Sequence, residues 1–311
     1  MSEAILTWTT LSDDAERAAA AHRLLAACHE ADGVEAFSEQ FVLGIDDARL
    51  EHRHLVAEID GELAGVAAVT GTDVELAVAP RYRRRGVGTR LIHEVQAGID
   101  DAAFWAHGNL EAAAELTQGE EMTTVRRLLV MSVDGVQLED TSSEVPEGYV
   151  VTNLAEASER YGRDFAERAW LEVNNDAFSW HPEQGGWDME RLHRSQEVDW
   201  YSDEDVLLLW EAPAGDQRPQ LAGFHWTKWQ SGNDGADDHR QGEVYVVGLA
   251  NAYRGKGLGG PVVEIGLAHL RAGGAREVIL YVEDDNEAAV RRYEKIGFRI
   301  AEEHVVYAKR G

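Results

Sequence analysis

The sequence lacks the features that mark disulfide-stabilised, cysteine-rich zinc and membrane-spanning proteins. Its single cysteine, Cys28, excludes an intrachain disulfide and leaves too few thiolates for a zinc knuckle. No apolar run approaches the ~20 residues that a bilayer-crossing helix needs. The first residues, MSEAILTWTT, contain no basic segment followed by an apolar core, as a secretion signal would. We therefore expect a cytoplasmic protein with no membrane partner.

Positive charge is also scarce. The 311 residues contain 57 Asp and Glu against 29 Lys and Arg, which gives a formal net charge of −28. A field of that sign repels the phosphates of a nucleic acid, so we expect no nucleic-acid partner. Hydrophobic residues make up 44% of the chain, as in a folded soluble protein, and the length is enough for about two domains.

What the chain does contain is an internal repeat. The segment AVAPRYRRRGVGTRLI returns as GLANAYRGKGLGGPVV, 171 residues later when Arg83 is matched to Arg254. Two shorter repeated segments occur in the same order along the chain: AFSEQ (36–40) with AFSWHPEQ (177–184), and LAG (63–65) with LAG (221–223). Three repeated segments in the same order predict two copies of one fold.

The residues between the copies are polar and rich in turn formers. We place the boundary at about residue 140, inside GVQLEDTSSEVPEG (135–148), which gives an N-terminal domain over 1–140 and a C-terminal domain over 141–311. In each copy, a strand and a helix precede a hairpin, a further strand, a glycine loop and a second helix. In the second copy these elements include a strand over 206–211 and a helix over 259–272. This order predicts an α/β or α+β domain with a mixed sheet, present twice.

The glycine loop has the form Arg-x-x-Gly-x-Gly between a strand and a helix in both copies. Glycines let the backbone approach a ligand, and the first N–H groups of a helix carry partial positive charge, so pyrophosphate is the expected guest. One such loop could be only a tight helix start, but two copies in matching context favour a phosphate site. The rival motifs fit poorly, because a Rossmann fingerprint opens a parallel sheet at the chain start and the Gly-Lys-Ser/Thr of a P-loop is absent.

Both loops resemble the pyrophosphate loop of the GNAT superfamily of N-acetyltransferases, Gln/Arg-x-x-Gly-x-Gly/Ala after the fourth strand. The second copy also contains Asn286-x-x-Ala289-x-x-x-Tyr293, which is similar to the superfamily's late helix, whose Asn and Tyr face the thioester of acetyl-CoA. The resemblance implies two tandem GNAT-like domains and an acetyl-CoA-dependent acyltransferase.

The resemblance extends over nearly the whole chain. AFSWHPEQGGW (177–187), GFHWTK (223–228), GEVYVVGL (242–249) and LYVEDDNEAAVRRYEKIGF (280–298) are similar to segments of the actinobacterial tandem members. Those proteins acetylate the cysteinyl amine of Cys-GlcN-inositol, a small-molecule thiol pseudo-disaccharide. The resemblance therefore implies the same acceptor for this chain.

By this resemblance, acetyl-CoA is held by a strand end, the glycine loop and the late helix. The residues expected to bind it are Leu76, Ala77, Val78, Arg84, Arg85, Gly86, Val87, Gly88, Thr89, Val247, Gly248, Leu249, Arg254, Gly255, Lys256, Gly257, Leu258, Gly259, Gly260, Asn286 and Arg291. In the second copy, backbone N–H groups of 247–249 are expected to receive the thioester carbonyl and the pantetheine arm. We expect no metal, because His181 and His225 have no third ligand at suitable spacing.

Acyl transfer to an amine needs a base for the amine and an acid for the departing thiolate. Glu243 is the candidate base, acting directly or through water, with a solvated strand-end carboxylate as the alternative. Tyr293 is the candidate acid, with a core-packing role as the alternative. Carboxylates and a lysine suit the acceptor's hydroxyls and ammonium group. The residues that the resemblance assigns to the acceptor are Glu39, Glu183, Lys228, Glu243 and Tyr281.

The first copy has Leu116 where the second has Tyr293, once Asn109 is aligned with Asn286. Because leucine cannot donate a proton, we expect the N-terminal domain to bind acetyl-CoA without turnover or to serve as a scaffold. Two other functions stay open: a GNAT enzyme acting on a protein N-terminus or an aminoglycoside amine, and a non-catalytic acyl-CoA sensor. We expect the protein to be a monomer.

Overall fold

The protein folds into two compact units, each made of discontinuous stretches of sequence. A computed structural model describes residues 3–142, 144–179, 184–212, 218–230 and 240–309. Unit 1 comprises Met1–Leu129, Glu283–Asp285 and Glu302–Gly311, and unit 2 comprises Val130–Val282 and Asn286–Ala301. The boundary predicted near residue 140 refers to the repeat along the sequence, and it stays a prediction. No helix in the described ranges is both long and apolar enough to cross a membrane.

Unit 1 has a mixed sheet flanked by helices. Its strands are β1 (Ile5–Thr9), β2 (Arg53–Ile59), β3 (Glu62–Thr70), β4 (Asp73–Val78) and β5 (Ala103–Ala106). Its helices are α1 (Ala15–Asp32), α2 (Glu39–Asp46), α3 (Val87–Gly98) and α4 (Glu111–Gly119). The strands neighbour one another in chain order; β1 to β4 are antiparallel, and β5 is parallel to β4. The β2–β3 hairpin turns on Asp60 and Gly61, both with positive φ, as a type I′ turn requires.

Unit 2 repeats the plan. Its strands are β7 (Tyr149–Asn153), β8 (Val206–Glu211), β9 (Gln220–Trp229), β10 (Arg240–Leu249) and β11 (Ala275–Glu283). Its helices are α5 (Gly135–Glu139), α6 (Leu154–Tyr161), α7 (Arg163–Ala177), α8 (Met189–Ser195), α9 (Gly259–Ala272) and α10 (Glu287–Ile296). Only the β10–β11 pair is parallel in the series from β7 to β11. The bounds of β8 and α9 are those that the sequence predicts.

Two long strands divide between the units. In β12 (Arg299–Ala308), the residues from Glu302 onward belong to unit 1, and the last four pair antiparallel with β5. In β6 (Thr123–Asp134), the residues from Val130 onward belong to unit 2, and β6 neighbours β11. Each unit is therefore completed by a strand segment from the other half of the sequence. The repeat does not reveal this exchange, and the sequence analysis did not predict β6.

The core of unit 2 is aromatic where β9 passes under α7. Trp170, Phe224 and Trp226 are each at most 2% exposed, and the two indole rings meet edge to face at 5.3 Å. Burying a ring of this size contributes on the order of 3 kcal/mol. This packing fixes the strand that presents Lys228 two residues beyond Trp226.

Candidate active site

The strand before the second glycine loop contains a β-bulge. Val244 pairs with Thr227 and Val246 with Trp226, so Tyr245 is an extra residue on β10. Pairing of β10 with β11 ends at Val244, whereas pairing with β9 continues to Leu249. A bulge bends the strand and takes its backbone off one neighbour. The last residues of β10, which include the predicted 247–249 segment, are thereby released from β11 and can present N–H groups to a ligand.

Glu243 and Lys228 face each other just before this bulge. They are cross-strand partners in the β9–β10 ladder, and their exposed fractions are 5% and 8%. The Nε2 of Gln230 donates a hydrogen bond to Oε2 of Glu243 over 2.5 Å. Buried charges of this kind require partners, since an uncompensated ion out of water costs several kcal/mol. The structure thus brings together a predicted base and a predicted acceptor-binding residue.

Aromatic rings surround the ammonium group of Lys228. Its Nζ lies 4.8 Å from the ring centre of Trp200 and 5.5 Å from that of Tyr245. These rings meet edge to face at 4.9 Å, and Trp226 lies 4.8 Å from Tyr245. A cation over an aromatic face gains about 2 kcal/mol when desolvated. The bulged Tyr245 therefore also helps to hold Lys228.

The second glycine loop forms an open cradle at the start of α9. Gly255 and Gly257 have φ of 77° and 81°, and a β-carbon on either would meet nothing within 4 Å. The helix has no side-chain N-cap, whereas α6, α8 and α10 are capped by Asn or Asp. The first N–H groups of α9, at Gly259 and Gly260, are thus not taken by a capping side chain. N–H groups that have no capping side chain, next to glycines with free space around them, can donate hydrogen bonds to a pyrophosphate.

The positively charged side chains of this loop are held in place by contacts with neighbouring residues. Arg254 donates from Nη2 to the carbonyl oxygen of Ala177 over 2.9 Å. The Nζ of Lys256 lies 4.4 Å from the ring centre of Tyr253, whose hydroxyl donates to Glu211. In the first loop, Arg83 likewise donates to a backbone carbonyl and makes a two-pronged ion pair with Asp32. The Arg of the motif therefore shapes the loop in both units.

The late helix, α10, places its residues on two different sides. Asn286 caps it by accepting from the N–H of Ala289 at 3.2 Å, and Arg291 pairs with Glu287 at 2.7 Å on an exposed side. Tyr293 packs edge to face on Phe298 at 5.7 Å. Burial raises the pKa of the Tyr293 phenol above its ordinary value, against the opposing effect of the Arg292 charge. The phenol is thus protonated at neutral pH, as an acid must be.

Arg292 is a residue that the sequence analysis missed. Its guanidinium lies over the first residue of α9, because a β-carbon on Gly259 would lie 2.1 Å from Nη1 of Arg292. A helical period does carry the signal: residues 289, 292, 293 and 296 form one stripe, and Arg291 lies off it. Of the two neighbouring arginines, Arg292 is the one beside the cradle.

Unit 1 encloses a cavity of about 550 Å³ at its own glycine loop. Eight of the nine residues predicted for cofactor binding in this unit line it: Leu76, Ala77, Val78, Arg84, Gly86, Val87, Gly88 and Thr89. The ninth, Arg85, stacks over Tyr82 at 5.5 Å. Helix α3 begins at Val87, and its N-cap residue, Gly86, provides no capping side chain. The first loop therefore has the same open helix start as the second.

The catalytic positions differ in unit 1. The hairpin position of the Lys228–Glu243 pair is occupied by Thr70 and Asp73, and β3 and β4 pair without a bulge. Leu116 packs on the loop, its Cδ2 2.9 Å from where a β-carbon on Gly88 would be. A leucine there closes the apolar wall of the cavity but supplies no proton.

The remaining predicted residues lie as follows. Glu39 is exposed in the first turn of α2, in unit 1. Tyr281 is 45% exposed on β11, in unit 2. Glu183 lies outside the described residues, so its assignment stays a prediction. Within the described residues, no three His, Cys, Asp or Glu side chains are grouped so that they could hold a metal ion.

Comparison with known proteins defines the class. Residues 168–298 match the acetyltransferase (GNAT) family and residues 51–120 match the acetyltransferase (GNAT) domain. A GCN5-related N-acetyltransferase from Sphaerobacter thermophilus is 25% identical, with a TM-score of 0.64 over 99% of this chain and 96% of that chain. A tandem GNAT protein from the clavulanic acid biosynthesis pathway shares the fold, with a TM-score of 0.65, 16% identity and 98% coverage of both chains. The protein is a tandem GNAT acetyltransferase, which confirms the predicted fold.

Sequence relatives narrow the class. A protein of Corynebacterium aurimucosum is 48% identical over 304 residues, covering 96% of this chain and 97% of its own. One from Corynebacterium glutamicum strain ATCC 13032 is 45% identical over 287 residues, covering 92% of each. Both are named mycothiol acetyltransferase. The chain belongs to the mycothiol acetyltransferase family.

Proposed function

We propose that this protein transfers the acetyl group of acetyl-CoA to the cysteinyl amine of Cys-GlcN-inositol, giving mycothiol and CoA. The observation that carries the proposal is the buried Glu243, which lies opposite the buried Lys228 of β9 and belongs to the strand that bulges and then enters an uncapped glycine loop. The names of the close relatives support the same reaction. The chemistry is assigned to unit 2.

Glu243 removes the proton that the attacking nitrogen must lose. At neutral pH the amine of the acceptor is present as an ammonium ion, so its nitrogen has no lone pair until a base takes a proton. Transfer to Glu243, directly or through water, frees the nitrogen to form the C–N bond with the thioester carbon. Lys228 lies directly opposite on the neighbouring strand and places a positive charge beside the predicted base.

Tyr293 returns a proton at the other end of the reaction. As the C–S bond breaks, the electron pair stays on sulfur, and the phenol of Tyr293 protonates the thiolate. Its raised pKa keeps it protonated until that moment. Protons balance, because the ammonium nitrogen loses two, one to Glu243 before the attack and one to solvent as the amide forms, while Tyr293 supplies one to the sulfur of CoA. Both residues regain their starting states from solvent.

The open cradle of unit 2 suits the pyrophosphate of acetyl-CoA, which supplies the activated acetyl thioester. Gly257, Gly259 and Gly260 would hold the phosphates through backbone N–H groups, and Lys256 and Arg292 add positive charge beside them. The released backbone after the bulge would bind the pantetheine arm and the carbonyl oxygen.

For unit 1 we propose acetyl-CoA binding without turnover. Its cavity and its uncapped α3 match the needs of the cofactor. It has Leu116 in place of an acid, and Thr70 and Asp73 in place of the Lys–Glu pair. The expected ratio is therefore two acetyl-CoA molecules bound per chain and one catalytic centre.

The test is a reaction with acetyl-CoA and Cys-GlcN-inositol beside a panel of peptide and aminoglycoside amines. Because the acceptor carries its own thiol, CoA and product are measured by chromatography with mass detection rather than by thiol reagents. We expect CoA release only with the inositol conjugate, and a product heavier by one acetyl group.

Other outcomes separate the alternatives. Turnover only with a peptide or aminoglycoside would retain the mechanism and overturn the acceptor. Tight acetyl-CoA binding with no turnover for any amine would replace the enzyme by an acyl-CoA sensor. Treatment of the product with hydroxylamine identifies the acetylated atom, since an amide survives it and a thioester does not; an acceptor with serine in place of its cysteine should still be acetylated on the amine.

A further inference from the structure

We propose that Gln230 is a positioning residue for Glu243, whose carboxylate it holds in one orientation and in the ionised form. The inference rests on the proposed role of Glu243 as the base. Gln230 directly follows β9, and its side-chain amide spans to the neighbouring strand to reach Oε2 of Glu243 over 2.5 Å.

The backbone of Gln230 is fixed at the point where the side chain departs. Its N–H donates to the carbonyl oxygen of Gln241 over 3.1 Å, which continues the β9–β10 ladder by one more bond. Trp229, its chain neighbour, is held by a cation–π contact with Arg240 at 3.7 Å. A short amide side chain on an anchored backbone has few rotamers that reach Glu243, so the carboxylate oxygen is defined in space.

The chemistry of the amide suits this task. The Nε2 group is a neutral donor that does not titrate in the range where enzymes work. A hydrogen bond donated to a carboxylate favours the charged form, whereas burial favours the neutral one. Because Glu243 is only 5% exposed, a fixed donor acts against the effect of burial on this carboxylate.

The neighbours of Glu243 on the adjoining strands and on its own strand are the following. Lys228 is directly opposite on β9, and Ile279 is the apolar partner on β11. Two residues before Ile279, Glu277 accepts from Nε2 of Gln241 at 2.7 Å. The phenol of Tyr245 lies two residues along β10. A substitution at Gln230 leaves all of these groups in place, so its effect can be assigned to the amide.

The experiment compares Gln230→Met, Gln230→Glu and wild type. Methionine keeps the length and removes the donor; glutamate replaces the donor by a second negative charge. The readout is kcat/KM for Cys-GlcN-inositol against pH, at saturating acetyl-CoA. We expect the midpoint of the acid limb to rise by about one pH unit for Gln230→Met, as loss of a hydrogen bond to a charge implies, and further for Gln230→Glu. At pH 9 the Met variant recovers to within about threefold of wild type, because the base is then ionised without help.

Gln241→Met is the matched control, since Gln241 is the same residue type as Gln230, lies on β10 two residues before Glu243 and also donates to a carboxylate. We expect its acid limb to coincide with that of wild type. The proposal is overturned if Gln230→Met keeps the wild-type acid limb, or if Gln241→Met moves it equally. A Met variant that is lower in rate at every pH would also overturn it, because a merely structural role lowers the whole profile. A failure of the proposed role of Glu243 gives a different result. The Glu243→Gln variant would then retain the full wild-type rate, independent of the results for the Gln230 variants.

Discussion

Unit 1 and unit 2 have the same glycine loop and the same uncapped helix, but they differ in the strand that leads into the loop. In unit 1, β4 pairs regularly and carries Asp73 opposite Thr70. In unit 2, β10 is bulged at Tyr245 and carries Glu243 opposite Lys228. The features suited to holding a nucleotide and those suited to acyl transfer are therefore separate parts of the same fold.

The bulge accounts for much of this difference. Matched through the hairpin registers, Asp73 and Glu243 are 170 residues apart, whereas Val78 and Leu249 are 171 apart, so unit 2 has one inserted residue. In unit 1, β4 keeps its parallel pairing up to Glu75, and in unit 2 the corresponding pairing stops one position earlier. A single inserted residue thus opens more backbone beside the predicted base.

The largest expected effect comes from removing that base. Glu243→Gln should lower kcat by about 10³-fold, within the range for loss of a general base, because an amide cannot accept the ammonium proton. The matched change in unit 1, Asp73→Asn, should leave kcat unchanged. The two are compared by CoA release at saturating substrates. Equal losses in both variants would remove the distinction between the units.

The two units should also differ in acid stability. Burial lowers the pKa of His54 and His304, in unit 1, and of His225, in unit 2, each to about 4. The unfolded chain takes up these protons near pH 6.5 and the folded chain does not, so folding free energy is lost as the pH falls from 6.5 towards 4. Each ring contributes up to about 3 kcal/mol.

With two such rings against one, unit 1 should open first on acidification. Hydrogen exchange by mass spectrometry, corrected for intrinsic rates, would follow the strands of each unit between pH 7.5 and 5. His22→Gln, at an exposed histidine, should behave as the parent protein does. Earlier opening of unit 2 would contradict the prediction.

Removal of the acid should have a somewhat smaller effect. Tyr293→Phe should lower kcat by about 10²-fold with little change in acetyl-CoA affinity, because the ring is retained and only the proton donor is lost. The converse variant, Leu116→Tyr, should not give unit 1 activity, since the Lys–Glu pair and the bulge are still missing. That point is checked in a Glu243→Gln background, where any restored turnover would show that a phenol alone suffices.

The smallest effect separates two adjacent arginines. Arg292→Ala should raise the KM for acetyl-CoA by about three- to tenfold, as loss of an exposed cation beside a phosphate implies. Arg291→Ala should change it less than twofold, because Arg291 pairs with Glu287 on the outer side of α10. Steady-state kinetics with acetyl-CoA varied decides between them, and a larger effect at Arg291 would reverse the assignment.

Much of this architecture can be predicted from local patterns. The hairpins, the strand over 206–211 and the helix over 259–272 follow from apolar periodicity and turn residues, and the repeat gives the tandem fold. Positions named by a motif, such as Gly257 and Tyr293, are predictable for the same reason, since their spacing is local.

Features that depend on distant partners were not predictable. The bulge at Tyr245 is visible only once the register with β9 is known. Gln230 contacts Glu243 across a pair of strands, and no spacing along the sequence predicts that contact. The exchange of β6 and β12 is hidden because a repeat aligns two continuous copies, whereas the sheets are assembled from discontinuous ones.

The exchanged β12 has a consequence for synthesis on the ribosome. Val305–Ala308 complete the sheet of unit 1 beside β5, yet they are translated after every other described strand. During synthesis the β5 edge of the N-terminal half therefore stays unpaired, and open to wrong pairing, until β12 has been translated. A gene fragment that ends near residue 140 would lack β12, so its β5 edge would stay unpaired. The sheet of unit 1 can therefore be completed only after β12 has been translated, although the first copy of the repeat is translated much earlier.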